Sequence, residues 1–405
     1  MKYIVLLGDG MADYPVPELG GSTPLEVAEK PFMDFLAQNG ELGLVRTVPP
    51  GMPPGSDVAN LSVLGYNPEI YYTGRSPLEA ASIGVNLAEK DIAFRCNLVS
   101  LSEDEKDYNQ RRMVDYSSDE IDSQEAAVLI ADVQKRLASS DINFYSGVSY
   151  RHLMVWQKGK ANMVTTPPHD ISDRVITSYL PQGPGGDILL AMMEASFEFL
   201  NNHPINQQRR ARGLRPANSI WLWGQGKKTD LPLFEHKYGL KGAMVSAVDL
   251  TKGLGVCAGL EVVEVAGATG NINTNFEGKA EAALKCLHQG LDFVYIHIEA
   301  PDEAGHRGEL ETKIKAIEAI DSRVLKPLLS GLEQYDDYKL LLLPDHPTPM
   351  SVRTHVGDPV PFVIYQHSRQ HKTGVSSYCE ETARSEDWLL EPGYTLMDVF
   401  LKEQE

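Results

Sequence analysis

The sequence predicts an α/β protein, a mostly parallel sheet flanked by helices, with an α+β domain inserted into it. Three observations predict it. Apolar runs of strand length recur near both ends of the 405-residue chain, and each ends in, or lies beside, Asp or His. Beyond residue 228, strand-like and helix-like stretches alternate as they do in βαβ units. Between Tyr66-Asn67-Pro68 and Gly224-Gln225-Gly226-Lys227-Lys228 that pattern lapses, which sets off an insert, 69–228, from a domain formed by 1–68 and 229–405. A chain of this length exceeds the usual single core, so two domains are the natural expectation.

The chain opens with Lys2-Tyr3-Ile4-Val5-Leu6-Leu7-Gly8-Asp9-Gly10, an apolar run closed by a carboxylate between two glycines. Continuous apolarity marks a strand buried on both faces, and open α/β sheets bind ligands at the C-terminal edge, where Asp9 is presented. A helix is expected around Pro24 to Asn39. In Pro53-Pro54-Gly55-Ser56-Asp57 the prolines and glycine stop any regular element, and Val58, Leu61, Val63 and Leu64 have the spacing of a helix that begins at the serine. Unpaired N–H groups collect there and favour an oxyanion beside Ser56. An ordinary serine N-cap with Asp57 in the first turn accounts for the same residues. The insert holds strand-like pieces at Ile92 to Leu101, Val148 to Trp156 and Ser219 to Trp223, and amphipathic helices at Ser123 to Ala138 and Asp187 to Asn201. Glycine and proline clusters such as Pro181-Gln182-Gly183-Pro184-Gly185-Gly186 separate them. A helix at Pro232 to Tyr238, a strand at Gly242 to Val248, and helices at Leu250 to Ala258 and Lys279 to His288 follow. The run Phe293 to Ile298 then leads into Glu299-Ala300-Pro301-Asp302-Glu303-Ala304-Gly305-His306, and Leu340 to Pro344 leads into Asp345-His346. Arg353-Thr354-His355 precede the last apolar run, Pro359 to Tyr365.

A hydrophobic fraction of 42% and a charged fraction of 23% are those of a globular chain and exclude a disordered or fibrous one. The net charge of −19 argues against a nucleic-acid surface, though not against a local basic pocket for an acidic metabolite. No apolar run reaches about 18 residues and no basic–apolar–small pattern opens the chain, so neither a membrane nor a signal peptide is expected and the protein is assigned to the cytoplasm. Cys96, Cys257, Cys286 and Cys379 are scattered without a C-x-x-C, which suggests neither a disulfide framework nor a thiolate metal site. Oligomeric state is not readable.

The acidic and imidazole residues suit cations. Asp302 and His306 are four positions apart, close enough for one ion on a helix or tight turn, and His355 can complete that set. Asp9, Asp345 and His346 form a second. Carboxylate with imidazole suits manganese or zinc better than calcium. Two such ions about 4 Å apart clamp a phosphoryl group and activate a serine hydroxyl, otherwise a poor nucleophile at neutral pH. Each pair alone reads as a turn with a solvated histidine; their conjunction with Ser56 does not.

Asp9 in Gly-Asp-Gly, Gly55-Ser56-Asp57-Val58-Ala59-Asn60, Pro301-Asp302-x-x-x-His306, Asp345-His346, and Thr354-His355 before Pro359-Val360-Pro361-Phe362 resemble the alkaline-phosphatase superfamily. They look most like its archaeal-type, cofactor-independent phosphoglycerate mutases. The resemblance extends to Arg95-Cys96-Asn97-Leu98 and Tyr150-Arg151-His152 and covers nearly the whole chain. It implies an alkaline-phosphatase-like catalytic domain with an inserted substrate domain. It makes Ser56 the phosphorylated nucleophile and a ligand of one metal together with Asp9, Asp345 and His346, while Asp302, His306 and His355 hold the other. Two divalent ions are implied, manganese first, with zinc, magnesium or cobalt as alternatives, and no 2,3-bisphosphoglycerate.

A phosphoglycerate substrate needs converging cationic donors, for which arginine has the bidentate geometry. Arg95, Asn97, Arg151, Arg209, Arg210 and Lys279 are the candidates, with Arg75 a weaker one. Asp170 or His152 is expected to take the proton of the accepting hydroxyl. The expected reaction passes phosphate from 3-phosphoglycerate to Ser56 and back to the 2-hydroxyl while the insert keeps the glycerate from leaving. A homoserine kinase and a metal-dependent phosphomonoester hydrolase are the alternatives; the sequence has no G-x-x-x-x-G-K-[ST] nucleotide cradle.

Overall fold

The computed structural model describes residues 1–402. Two compact units emerge, Met1–Tyr72 with Asp230–Glu405, and Thr73–Thr229. The first is built on an eight-stranded sheet. From one edge to the other its strands are Leu389–Leu390, Glu41–Val45, Val360–Gln366, Tyr338–Leu343, Lys2–Gly8, Phe293–Ile298, Gly242–Val245 and Glu261–Val263. All neighbours are parallel except Val360–Gln366, which is antiparallel to both strands beside it. The α/β class read from the sequence is therefore found.

Register places the site. Lys2–Gly8 lies between Phe293–Ile298 and Tyr338–Leu343, with Gly8 opposite Ile298 and Leu7 opposite Leu343. Three parallel strands thus end level at one sheet edge, and the chain continues from them into Asp9, Glu299 and Pro344-Asp345. Every residue of Phe293–Ile298 and Tyr338–Leu343 is buried, as strands covered on both faces require. The helices Pro31–Asn39, Phe276–His288 and Leu310–Ile320 supply Leu36, Ala280, Ala283 and Ile317 to the core around Ile4, Leu6, Val294 and Ile296.

The second unit is an antiparallel sheet. Ile92–Leu101 pairs with Arg151–Trp156, Ser219–Lys227 and Met113–Asp115, and Ile142–Tyr145 pairs with Arg151–Trp156. Helices Ser123–Leu137 and Gly186–Leu200 bury Leu129, Ile130, Leu189 and Met193 against Phe94, Cys96 and Met154.

Several predicted elements are shorter or divided. The helix expected from Pro24 to Asn39 breaks into Pro24–Val27 and Pro31–Asn39. Pro31 has no N–H for the preceding turn and pushes Lys30 out of the helical region, to φ −138° and ψ 58°. The strand read from Val148 starts only at Arg151, because Ser149 is left-handed at φ 55°. The strand from Gly242 ends at Val245. The helix read from Lys279 begins earlier, at Phe276, where Asn275 Oδ1 accepts from the Gly278 N–H at 2.9 Å. Among the described residues no helix is long and apolar enough to cross a membrane.

Candidate active site

Ser56 is the first residue of the helix Ser56–Val63, not its cap; Gly55 holds that place. The helix is anchored by Val58 and Ala59, buried against Val48. Its serine side chain is thereby free to turn inward. Ser56 Oγ stands 3.1 Å from His346 Nε2 and donates to Asp9 Oδ2 at 3.3 Å. One turn on, Asn60 donates to the Ser56 carbonyl at 2.8 Å and to Asp345 Oδ2 at 2.9 Å, and accepts from the Tyr295 hydroxyl at 2.6 Å. Asp345 Oδ1 accepts from the N–H groups of Gly10 at 3.2 Å and His346 at 2.9 Å.

Asp302 lies in the first turn of the helix Ala300–Arg307, so His306 falls on the same face. His306 Nε2 is 3.3 Å from Asp302 Oδ2, His355 Nε2 is 3.4 Å from Asp302 Oδ1, and the two imidazole nitrogens are 2.9 Å apart. Thr348 donates its hydroxyl to Asp302 Oδ1, and Lys313, fully buried, ties Ala12, Asp13 and the Thr348 carbonyl together.

Ligand atoms of Asp9, Asp345 and His346 lie within 4.8 Å of one another, as do those of Asp302, His346 and His355, and of Asp9, Glu299 and Asp302. The first set is the one read from the sequence. In the second, His346 joins Asp302 and His355, so one imidazole borders both groups while His306 stands beside them.

The electrostatics fit divalent cations. Burial, then the charges of Asp345, Asp302 and Glu299, push the Asp9 carboxyl well above its ordinary range. Asp9 Oδ1 is buried with no hydrogen-bond partner among the described residues, so the cluster offers oxygen donors that a hard or borderline cation would satisfy. Against the desolvation of burial, hydrogen bonds with His306 and His355 hold Asp302 well below the carboxylate range. Desolvation opposes protonation of His306 too, but Asp302 outweighs it and raises the imidazole to about 9. Burial lowers His346, and lowers His297 to about 4.

Of the substrate-binding candidates, Arg95 is buried, 3.0 Å from Glu79 and over the Trp223 ring at 4.6 Å, and burial brings its guanidinium down to about 10. Asn97 opposes Arg151 on the neighbouring strand and accepts from the Trp223 indole at 3.0 Å. Arg151 is exposed over the Tyr150 ring at 5.2 Å and makes no ion pair among the described residues. The other two insert arginines serve the fold: Arg209 is buried on Glu125 at 2.7 Å and on the Ser118 and Arg215 carbonyls, and Arg210 pairs with Glu103 at 2.8 Å. Lys279 is buried, donates to the His297 carbonyl at 3.1 Å, and is lowered to about 8 by desolvation, against the opposing charge of Glu299. The base role expected of His152 does not fit its setting. Nδ1 already accepts from the Gly147 N–H at 3.0 Å, leaving Nε2 to carry the proton, and burial lowers the ring to about 3. Asp170 keeps an exposed carboxylate, 3.6 Å from His169.

His297, Glu299, Asn60 and Thr348 were missed. His297 carried a signal, a lone imidazole inside an apolar strand, and Asn60 another, one turn from Ser56. Glu299 directly follows the apolar strand Phe293–Ile298, whereas Thr348 owes its place to tertiary packing.

Residues 37–206 match the family described as 2,3-bisphosphoglycerate-independent phosphoglycerate mutase. A Geobacter sulfurreducens protein named as a probable 2,3-bisphosphoglycerate-independent phosphoglycerate mutase is 53% identical over 401 residues, 99% of this chain and 100% of that one. A Methanosarcina barkeri protein of the same name, without the qualifier, is 47% identical over 404 residues, again 99% and 100%. Among solved structures, a Pyrococcus horikoshii protein superposes with a TM-score of 0.81 at 29% identity, covering 100% of this chain and 98% of that one. The cofactor-independent phosphoglycerate mutase of Thermoplasma acidophilum gives 0.64 at 26% identity, with 99% of each chain covered.

Proposed function

Because the chain belongs to the 2,3-bisphosphoglycerate-independent phosphoglycerate mutase family, we propose that it interconverts 3-phosphoglycerate and 2-phosphoglycerate, with Ser56 carrying the phosphoryl group between the two positions. One observation carries the reading: a serine hydroxyl in the first turn of a helix, 3.1 Å from His346 and 3.3 Å from Asp9, at the edge where three parallel strands end. Asp9, Asp345 and His346 with Ser56 would hold one divalent ion, and Asp302, His306 and His355 the other. Such ions, manganese first among the candidates, neutralise charge on a phosphoryl group and make a nearby hydroxyl more acidic.

Ser56 Oγ gives up its proton and attacks phosphorus as the 3-oxygen of the glycerate departs and takes a proton up, one O–P bond forming while the other breaks, to leave phosphoserine and glycerate. N–H groups at the head of Ser56–Val63 favour the phosphoserine charge. The 2-hydroxyl of the retained glycerate then attacks phosphorus and the Ser56 oxygen leaves. Because the phosphoryl group rests on the protein between the steps, no 2,3-bisphosphoglycerate is needed. We assign the substrate carboxylate to Arg151, which makes no ion pair among the described residues, and the proton of the accepting hydroxyl to Asp170.

The test is incubation of Mn²⁺-loaded protein with 3-phosphoglycerate alone, followed by phosphorus NMR. The 2-isomer should appear without 2,3-bisphosphoglycerate. Release of inorganic phosphate without isomerisation would make the protein a hydrolase, and an unchanged spectrum would overturn the reading.

A further inference from the structure

The strand Phe293–Ile298 supports the first cluster from beneath. Tyr295 and His297 are two residues apart and so share a face. Tyr295 reaches Asp345 through Asn60, as described above. His297 reaches Asp9 directly, with Nε2 2.9 Å from Oδ2. When Asp9 ligates a cation it is ionised and only accepts, so Nε2 would carry the imidazole proton and Nδ1 would be the acceptor. Nδ1 faces the Ser246 hydroxyl at 3.4 Å, and the Ser246 oxygen in turn accepts from the Val248 N–H at 3.1 Å. The relay Val248–Ser246–His297 thus aims one proton at one oxygen of Asp9. The other oxygen, Oδ1, is the buried atom without a hydrogen bond among the described residues, and it stands 3.6 Å from His346 Nε2.

Resting on the two-cation reading above, we infer that His297 is a positioning residue: by holding Oδ2 it turns Oδ1 of Asp9 toward the cation that Asp9 shares with Asp345 and His346. Carboxylates that ligate metals are oriented by such outer hydrogen bonds, whose loss costs about 10–100-fold in metal affinity. Asp302, the carboxylate of the other set, keeps its own support from the Thr348 hydroxyl, so only the cation held by Asp9 should feel the loss.

The test is calorimetric titration of Mn²⁺ into metal-stripped full-length protein, for the parent, His297→Leu and His297→Gln, with thermal melts of each in EDTA. The parent should take up two ions. His297→Leu should bind one of them about 10–100-fold more weakly and the other unchanged. His297→Gln, whose amide can still donate to Asp9, should recover most of that loss. If the leucine variant does not fold, His297→Asn, a donor too short to reach, replaces it. Two ions bound with parental affinity in the variant lacking the donor would overturn the inference alone, and so would equal weakening in the glutamine variant. A parent that binds fewer than two ions would overturn the two-cation reading and this inference with it.

Discussion

Gly10 has φ +63°, and a Cβ there would lie 2.7 Å from both the Asp302 Cα and the Thr348 Oγ1. Backbone of one strand end thus passes against the residues that orient the other cluster, an approach only glycine allows. Gly10→Ala is expected to cost about 1–3 kcal/mol in stability and to weaken Mn²⁺ binding, because Asp302 and the Asp345 that accepts from Gly10 N–H both have to shift. Urea unfolding and metal titration check it; parental values in both would contradict it. At this scale the strand-end and helix-start residues were legible, since Asp9, Asp345, His346 and Ser56 are placed by local pattern. The sharing of His346 between two ligand groups was not, because it depends on how three loops pack. Nor could the partners of Arg209 and Arg210 be read: a basic residue carries no sign of the distant Glu125 or Glu103 that claims it.

The helix Leu310–Ile320 runs on through a π turn, Asp321–Leu325, into Lys326–Leu332, and Asp321 caps another helix across the core. Its carboxylate accepts from the N–H groups of Met33 at 2.7 Å and Phe32 at 3.4 Å, at the head of Pro31–Asn39. Burial raises the Asp321 carboxyl from 3.8 to about 6, against the pull of those hydrogen bonds. Between these values the folded chain keeps a proton that the unfolded chain has released. The contribution is therefore full below the unfolded value and is lost as pH rises through about 6. Asp321→Asn should remove this part of the pH dependence, on the order of 2 kcal/mol, when urea unfolding in EDTA is compared from pH 4 to 7; an unchanged slope would contradict it. Two elements with long apolar runs, Ile92–Leu101 and Phe293–Ile298, were legible to the residue. Short strands such as Glu261–Val263 were not, because three residues make no period and pairing alone creates them.

The chain leaves its first unit at Tyr72 and returns to it at Asp230. The two ends of the second unit meet, with Thr73 Oγ1 donating to the Lys227 carbonyl at 2.7 Å and lying 3.1 Å from Thr229 Oγ1. A unit with its own core and adjacent termini can fold alone. A fragment spanning Thr73–Thr229 should show near-UV circular dichroism and a single cooperative urea transition, and its absence would contradict that independence. The expectation of an insert rests on the alternation of strand and helix that stops and resumes along the sequence.

In the proposed reaction Ser56 accepts the phosphoryl group. The direct measurement is rapid acid quench of the Mn²⁺-loaded protein during turnover of 3-phosphoglycerate, followed by peptide mapping with mass spectrometry. A phosphoryl group on the peptide that contains Ser56, lost together with isomerisation in Ser56→Ala, is the predicted result. Isomerisation that continues in Ser56→Ala, or phosphate found on another residue, would contradict it.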